Sequence, residues 1–190
     1  MKSQRLLTVL TLSATLVLSG CGGPGSDPAV TVDGTSYSVA EVQQATQQIN
    51  EVVLSQQVAA GAPEQEPNTP QDLISDLALL PVIEEIVDGS PIEISQTQIR
   101  DILNRNGVAD PGPATIDAAL SRQYRQVFSD PATLQDPAMA DVMAKLQALT
   151  ADRVAAIDVE VNPRYGAWDY QSGQVNLGKP SWIDSADQDS

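Results

Sequence analysis

The sequence predicts a mainly α-helical domain closed by a small β-sheet built from the two ends of the chain. Three observations predict it. Between residues 39 and 149, apolar residues recur at three/four spacing in several runs, most of them opened by Ser, Thr or Asp-Pro. Runs rich in β-formers occur only near residues 29–37 and 154–161. Neither run can satisfy its backbone hydrogen bonds alone, so the two are expected to pair and bring the chain ends together.

The elements follow in order. Ala29–Val32 is a short strand, Asp33-Gly34 a turn pair, and Thr35–Tyr37 a return strand. Ser38 stands three residues before Glu41, a capping box that opens a helix over about Val39–Ala60. Val42, Ala45, Ile49, Val52 and Val53 form its apolar stripe, and its many glutamines lie mostly off that stripe. Residues 61–68 are a loop by composition. Thr69-Pro70 caps a second helix to about Val87, where Pro81 is expected to kink or split it. Ser95 and Gln98 box a third helix, about Gln96–Asn106. A fourth covers about Ala114–Phe128. Asp130-Pro131 and Asp136-Pro137 each read as a helix start, the latter opening a helix to Leu149. Val154–Val161 alternates with period two, with Ile157, Val159 and Val161 on one face and Asp158 and Glu160 on the other. Its end, about Ile157–Val161, should pair with Ala29–Val32.

The chain of 190 residues is long enough for one core, and 42% apolar content is that of a folded protein. Ten basic residues stand against 25 acidic ones, a net charge of −15 that disfavours a phosphate-backbone partner, so no nucleic acid is expected. There is no histidine, which removes imidazole acid–base and nucleophilic triads and His-ligated metals. A single cysteine removes intrachain disulfides and cysteine-cluster metal sites. No phosphate loop, dinucleotide fingerprint or nucleophile elbow is present, and no cofactor is expected. Glu84, Glu85 and Asp88 cluster on one helix but lack the loop and turn glycine of a calcium site, and read as a solvated face. Met139 and Met143, four apart, are open to two readings, core packing or an adaptable groove.

Lys2 and Arg5 precede an apolar run, Leu6–Leu18, too short for a bilayer core of about 30 Å and suited to a secretory signal. Leu18-Ser19-Gly20-Cys21 follows and resembles the bacterial lipobox. The resemblance implies cleavage before Cys21, acylation of its thiol, and a location on the extracytoplasmic face of the cell membrane. Two acyl chains, each at about 0.8 kcal/mol per buried CH₂, hold a protein firmly where one would be marginal. Losing residues 1–20 removes two basic and no acidic residues, which leaves a net charge of −17. Such a body should stand off an anionic membrane surface. Residues 21–28 read as the lipidated tether, 29–170 as the domain, and 171–190 as a polar tail expected to be mobile.

Two segments resemble a known family. Ala29–Val32, Asp33-Gly34, Tyr37, Ser38 and Glu41-Val42 resemble the opening of SurA-like N-terminal domains. Asn162, Pro163, Arg164, Tyr165, Gly166 and Trp168 are similar to the motif that closes SurA- and PrsA-like extracytoplasmic chaperones. The resemblance covers about residues 29–170 and implies a helical module that holds unfolded segments of exported proteins. Many members insert a parvulin prolyl isomerase before the closing strand. This chain lacks the hundred or so residues and the histidines that insertion needs, so neither isomerase nor other enzyme activity is expected.

By its own chemistry, Asn162-Pro163 ends the strand and Gly166 permits a tight turn. Four of the seven aromatics, Tyr165, Trp168, Tyr170 and Trp182, lie in this last segment. They suit either a lid over one end of the core or a client-contact patch. Arg164 either pairs with a carboxylate or stands exposed. Two function classes remain: a non-catalytic chaperone module that takes unfolded or secreted client polypeptides into a groove between helices, and a structural or adaptor lipoprotein that holds one defined partner.

Overall fold

The computed structural model describes residues 26–177, apart from residues 64 and 150. The signal segment, Cys21, most of the tether and Trp182 lie outside the described residues. The molecule is mainly helical with a three-stranded antiparallel sheet and a separate two-stranded hairpin.

Strand β1 (Pro28–Val32) turns back into β2 (Thr35–Ser38) through Asp33 and Gly34, both at positive φ. Strand β3 (Val159–Val161) lies on the other edge of β1, with Val30 opposite Val161 and Val32 opposite Val159. The two ends of the chain therefore share one sheet, in the order β2-β1-β3. Four further bonds stitch them. Asp33 N–H donates to the Asp158 carbonyl (2.9 Å), and Asp158 N–H returns to Asp33 Oδ1 (3.0 Å). Asn162 donates its N–H to the Ala29 carbonyl and its Nδ2 to the Pro28 carbonyl, each at 2.9 Å.

Strand β3 is shorter than the period-two pattern suggests. Residues 151–155 form a helical turn, and the strand begins only at Val159. The reason lies in the partner: β1 ends at Val32, opposite Val159, so earlier residues have no strand to pair with. The alternation still sets the facing, since Ile157 and Val159 are buried while Asp158 and Glu160 are exposed.

Helix α1 (Val39–Ala60) starts at the Ser38/Glu41 capping box and stops at Gly61 in a left-handed conformation. Helix α2 (Pro70–Val87) starts at a Thr69/Asp72 capping box and runs unbroken through Pro81, so it is not split there. Its length is explained by burial: Leu73, Ile74, Leu77, Ala78, Leu80, Val82, Ile83, Ile86 and Val87 are all buried. An apolar helix covered on most sides keeps its path because leaving it would expose about 1.5–3 kcal/mol per large side chain. Helix α3 (Gln96–Arg105) is boxed by Ser95 and Gln98, and α4 (Pro113–Ser129) packs against α1, α2 and α3. A short α5 (Pro131–Leu134) follows. The helix expected from Pro137 begins as a 3₁₀ turn, Pro137–Met139, before α6 (Ala140–Ala148), and α7 (Ala151–Ala155) leads to β3.

After β3, a 3₁₀ turn (Pro163–Tyr165) leads into a hairpin of β4 (Ala167–Asp169) and β5 (Gln174–Asn176). The domain boundary expected at residue 170 is therefore too early. Trp168 pairs with Val175, whose N–H donates to Ser75 Oγ on α2 at 3.0 Å. Asp169 holds the turn by accepting from Gln171 N–H, Ser172 Oγ and Asn176 Nδ2. These bonds keep its carboxyl below the usual carboxylate range. Residues 178–190, the rest of the expected tail, lie outside the described residues.

Candidate functional site

Helices α1 and α3 both rest on α4 and leave a groove between them. Its floor and walls are Ile49, Val52 and Val53 from α1, Ile99, Ile102 and Leu103 from α3, and Ala119 from α4. Gln56, Gln123 and Gln126 line its rim, and Arg122 is its one charged residue. The cavity holds about 210 Å³. Ile49, Ile99 and Leu103 are fully packed, whereas Val52, Val53 and Ile102 are half-buried and wait on further cover. Glutamine amides both donate and accept, so this rim can pair with the N–H and carbonyl groups of an extended backbone laid along it.

At about 1.5 Å per residue, α1 outreaches the ten-residue α3 by several turns. On the face of α1 turned away from the groove, two apolar side chains stand exposed. Leu54 is 53% exposed and Val58 is 74% exposed. Residues 52–63 contain no charged side chain, in a chain of net charge −15. That uncharged run, longer than one helical stripe needs for packing, is the sequence signal for the site. Reading Val52 and Val53 as plain core positions overlooked it.

Arg122 is tied down beside the groove. Asp76, buried on α2, accepts from Arg122 Nε and from Arg125 Nη2, and Arg122 Nη1 donates to Asn68 Oδ1 at 2.8 Å. Burial pushes the Asp76 carboxyl up, and the two guanidiniums act against that. The cluster clamps α2 to α4 beside the groove. A second buried carboxylate, Asp117, accepts from Tyr37 Oη (2.9 Å) and Gln96 Nε2 (3.0 Å), and so ties β2, α3 and α4 together. Burial raises Asp117 against those two bonds, and burial together with Asp117 raises Glu84 nearby. Burial and Asp117 also raise the Tyr37 hydroxyl.

The closing motif is structural wherever the described residues show its contacts. Asn162 caps the 3₁₀ turn, accepting from Arg164 N–H, and binds β1 as described; Pro163 is the first residue of that turn. Tyr165 and Trp168 are buried, and Trp168 meets Tyr170 edge-on at 6.4 Å. Those two form part of a lid on the core; Tyr170 is 42% exposed. Arg164 is exposed and makes no ion pair among the described residues. Gly166 has φ 111°, and a Cβ there would lie 2.3 Å from the Asn176 carbonyl oxygen. Only glycine lets β5 approach so closely.

The remaining candidates also resolve. Met139 is buried and Met143 packs against the core, away from the groove lining. Glu85 pairs with Arg153, and Lys145 Nζ donates to the Glu85 and Asp88 carbonyls at the end of α2. Among the described residues no set of three acidic or cysteine side chains is placed to hold a metal ion, and no helix is long and apolar enough to cross a membrane. No family model, curated protein or solved structure matches the chain.

Proposed function

We propose that this chain is a membrane-anchored extracytoplasmic lipoprotein whose helical domain, of SurA N-terminal-like type, binds extended apolar segments of unfolded exported polypeptides without catalysis. The groove between α1 and α3 is the observation that carries the reading. It offers half-buried aliphatic side chains with a glutamine rim, which suits side chains of many sequences and a backbone common to all of them. The anchor rests on Leu18–Cys21 and places the domain where secreted chains emerge. The sheet that joins both chain ends agrees with the SurA-like arrangement, since it leaves the helices as the working surface.

The energetics suit a holder rather than a permanent partner. Two or three client side chains entering the groove gain about 1.5–3 kcal/mol each, most of which is offset by ordering the client. Binding in the range of roughly 1 μM to 1 mM follows, reversible without nucleotide. The test is suppression of aggregation of a reduced, unfolded protein by the purified chain, beside an Ile102→Glu variant. The proposal expects wild type to delay light scattering and the variant, equally folded by circular dichroism, to lose that effect. Equal protection by both would remove the groove from the account.

A further inference from the structure

On the far side of α1 from the groove lies a second shallow pocket, lined by Asn50, Glu51, Val53, Leu54, Gln57, Gln65, Glu66 and Pro67. Val53 belongs to both linings, so one ridge of α1 separates an apolar groove from a pocket bearing two carboxylates. Glu51 and Glu66 are exposed, and neither forms an ion pair among the described residues. The groove lining contains no carboxylate, and its single cation, Arg122, shares the Asp76 carboxylate with Arg125. Exposed cations stand on α3, at Arg100 and Arg105, on the opposite wall.

We infer that the site selects apolar segments followed by Lys or Arg. The apolar residues enter the groove, the chain crosses the Val53 ridge, and the basic residues lie over Glu51 and Glu66. The inference rests on the proposed client-binding role and names its substrate class. Charge complementarity carries it at two ranges. The local pair gives a short-range preference, and the net charge of −17 after cleavage draws in cationic chains and repels acidic ones. The basic flank points toward α1 because Arg100 and Arg105, set against one exposed carboxylate, Asp101, leave α3 net positive.

The experiment uses the full chain purified from membranes and held in phosphatidylcholine nanodiscs. Three fluorescein-labelled peptides share one Leu/Val core and are flanked on one side by two Lys, two Ser or two Glu. Binding is read by anisotropy at low salt and at 0.5 M NaCl, for wild type and Glu51→Gln/Glu66→Gln. The expected result is tighter binding of the Lys peptide than the Ser peptide by roughly three- to tenfold at low salt, largely lost at high salt. In the double variant the preference shrinks while affinity for the Ser peptide stays the same. A preference unchanged in the double variant, or no preference between Lys and Ser, overturns the inference and leaves apolar binding standing. Failure of all three peptides to bind overturns the client-binding role itself.

Discussion

Replacing Gly166 by alanine tests how the closing motif holds the domain together. The residue sits at φ 111° and ψ −148°, a region open almost only to glycine, and forcing a side chain there costs about 1–3 kcal/mol. The steric problem adds to it. The new Cβ would stand 2.3 Å from the Asn176 carbonyl oxygen, 2.9 Å from its carbon and 3.2 Å from the Leu177 nitrogen. All three are backbone atoms, so no flexible side chain can swing aside. The structure must yield by moving β5 away, which loosens Val175 on α2 and uncovers part of Trp168. A total of about 3–5 kcal/mol is expected, against a domain stability of about 5–15 kcal/mol. At about 2–4 °C per kcal/mol for this size, the midpoint should fall by roughly 10 °C. Gly61→Ala is the control: φ is 61°, but nothing lies within 4 Å of the added carbon. It should cost about 1 kcal/mol. Thermal melts followed by circular dichroism compare the two. If Gly166→Ala melts within 3 °C of Gly61→Ala, the hairpin does not close on the turn as described.

Other outcomes follow from the same contacts. Asp117 and Glu84 titrate above their ordinary values in the folded state, so the fold binds protons that the unfolded chain releases. Their contribution is therefore fully present below the unfolded carboxylate pKa of about 4 and is lost as pH rises through the higher folded values. Urea unfolding should show stability falling as pH rises above about 4, and Asp117→Asn should flatten that fall; an unchanged pH slope in the variant would contradict it. Ser121 is fully buried on α4 with no partner for its hydroxyl among the described residues, so Ser121→Ala should stabilise by about 0.5–1 kcal/mol, read as a higher urea midpoint. Cys21→Ala should leave the chain as unprocessed precursor or free of the membrane, whereas the wild type partitions into detergent; a soluble wild type with an unmodified thiol would refute the anchor.

Most of the fold was legible because its signals are local. The three capping boxes at Ser38, Thr69 and Ser95 each join a side chain to a backbone three residues on, and each marks its helix start within the sequence itself. The pairing of β1 with β3 was legible for a different reason: β3 was a strand without any other partner, and β1 offered it the edge not taken by β2. What local pattern could not supply was length set by a distant neighbour. The extent of β3 is decided by where β1 turns at Asp33, and the continuity of α2 through Pro81 by the packing around it. The β4–β5 hairpin was missed because its strands have three residues each, and its turn is organised by Asp169 rather than by a two-residue glycine pair. The site was half legible. The stripe on α1 was plain, but that a groove opens between it and α3 depends on how two helices sit on a third. The clamps at Asp76 and Asp117 carried no sequence signal, since single aspartates on helices read as surface until tertiary packing buries them.

The central claim is that client chains lie in the groove between α1 and α3. Site-specific photocrosslinking tests it most directly. A photoreactive residue is placed at Gln56 or Gln126 on the groove rim, or at Gln43, exposed on α1 near its start. The partner is one purified, reduced and unfolded secreted protein. The account predicts strong adducts from Gln56 and Gln126, competed by an apolar peptide, and little from Gln43. Equal adducts from all three positions, or adducts from Gln43 alone, would contradict it.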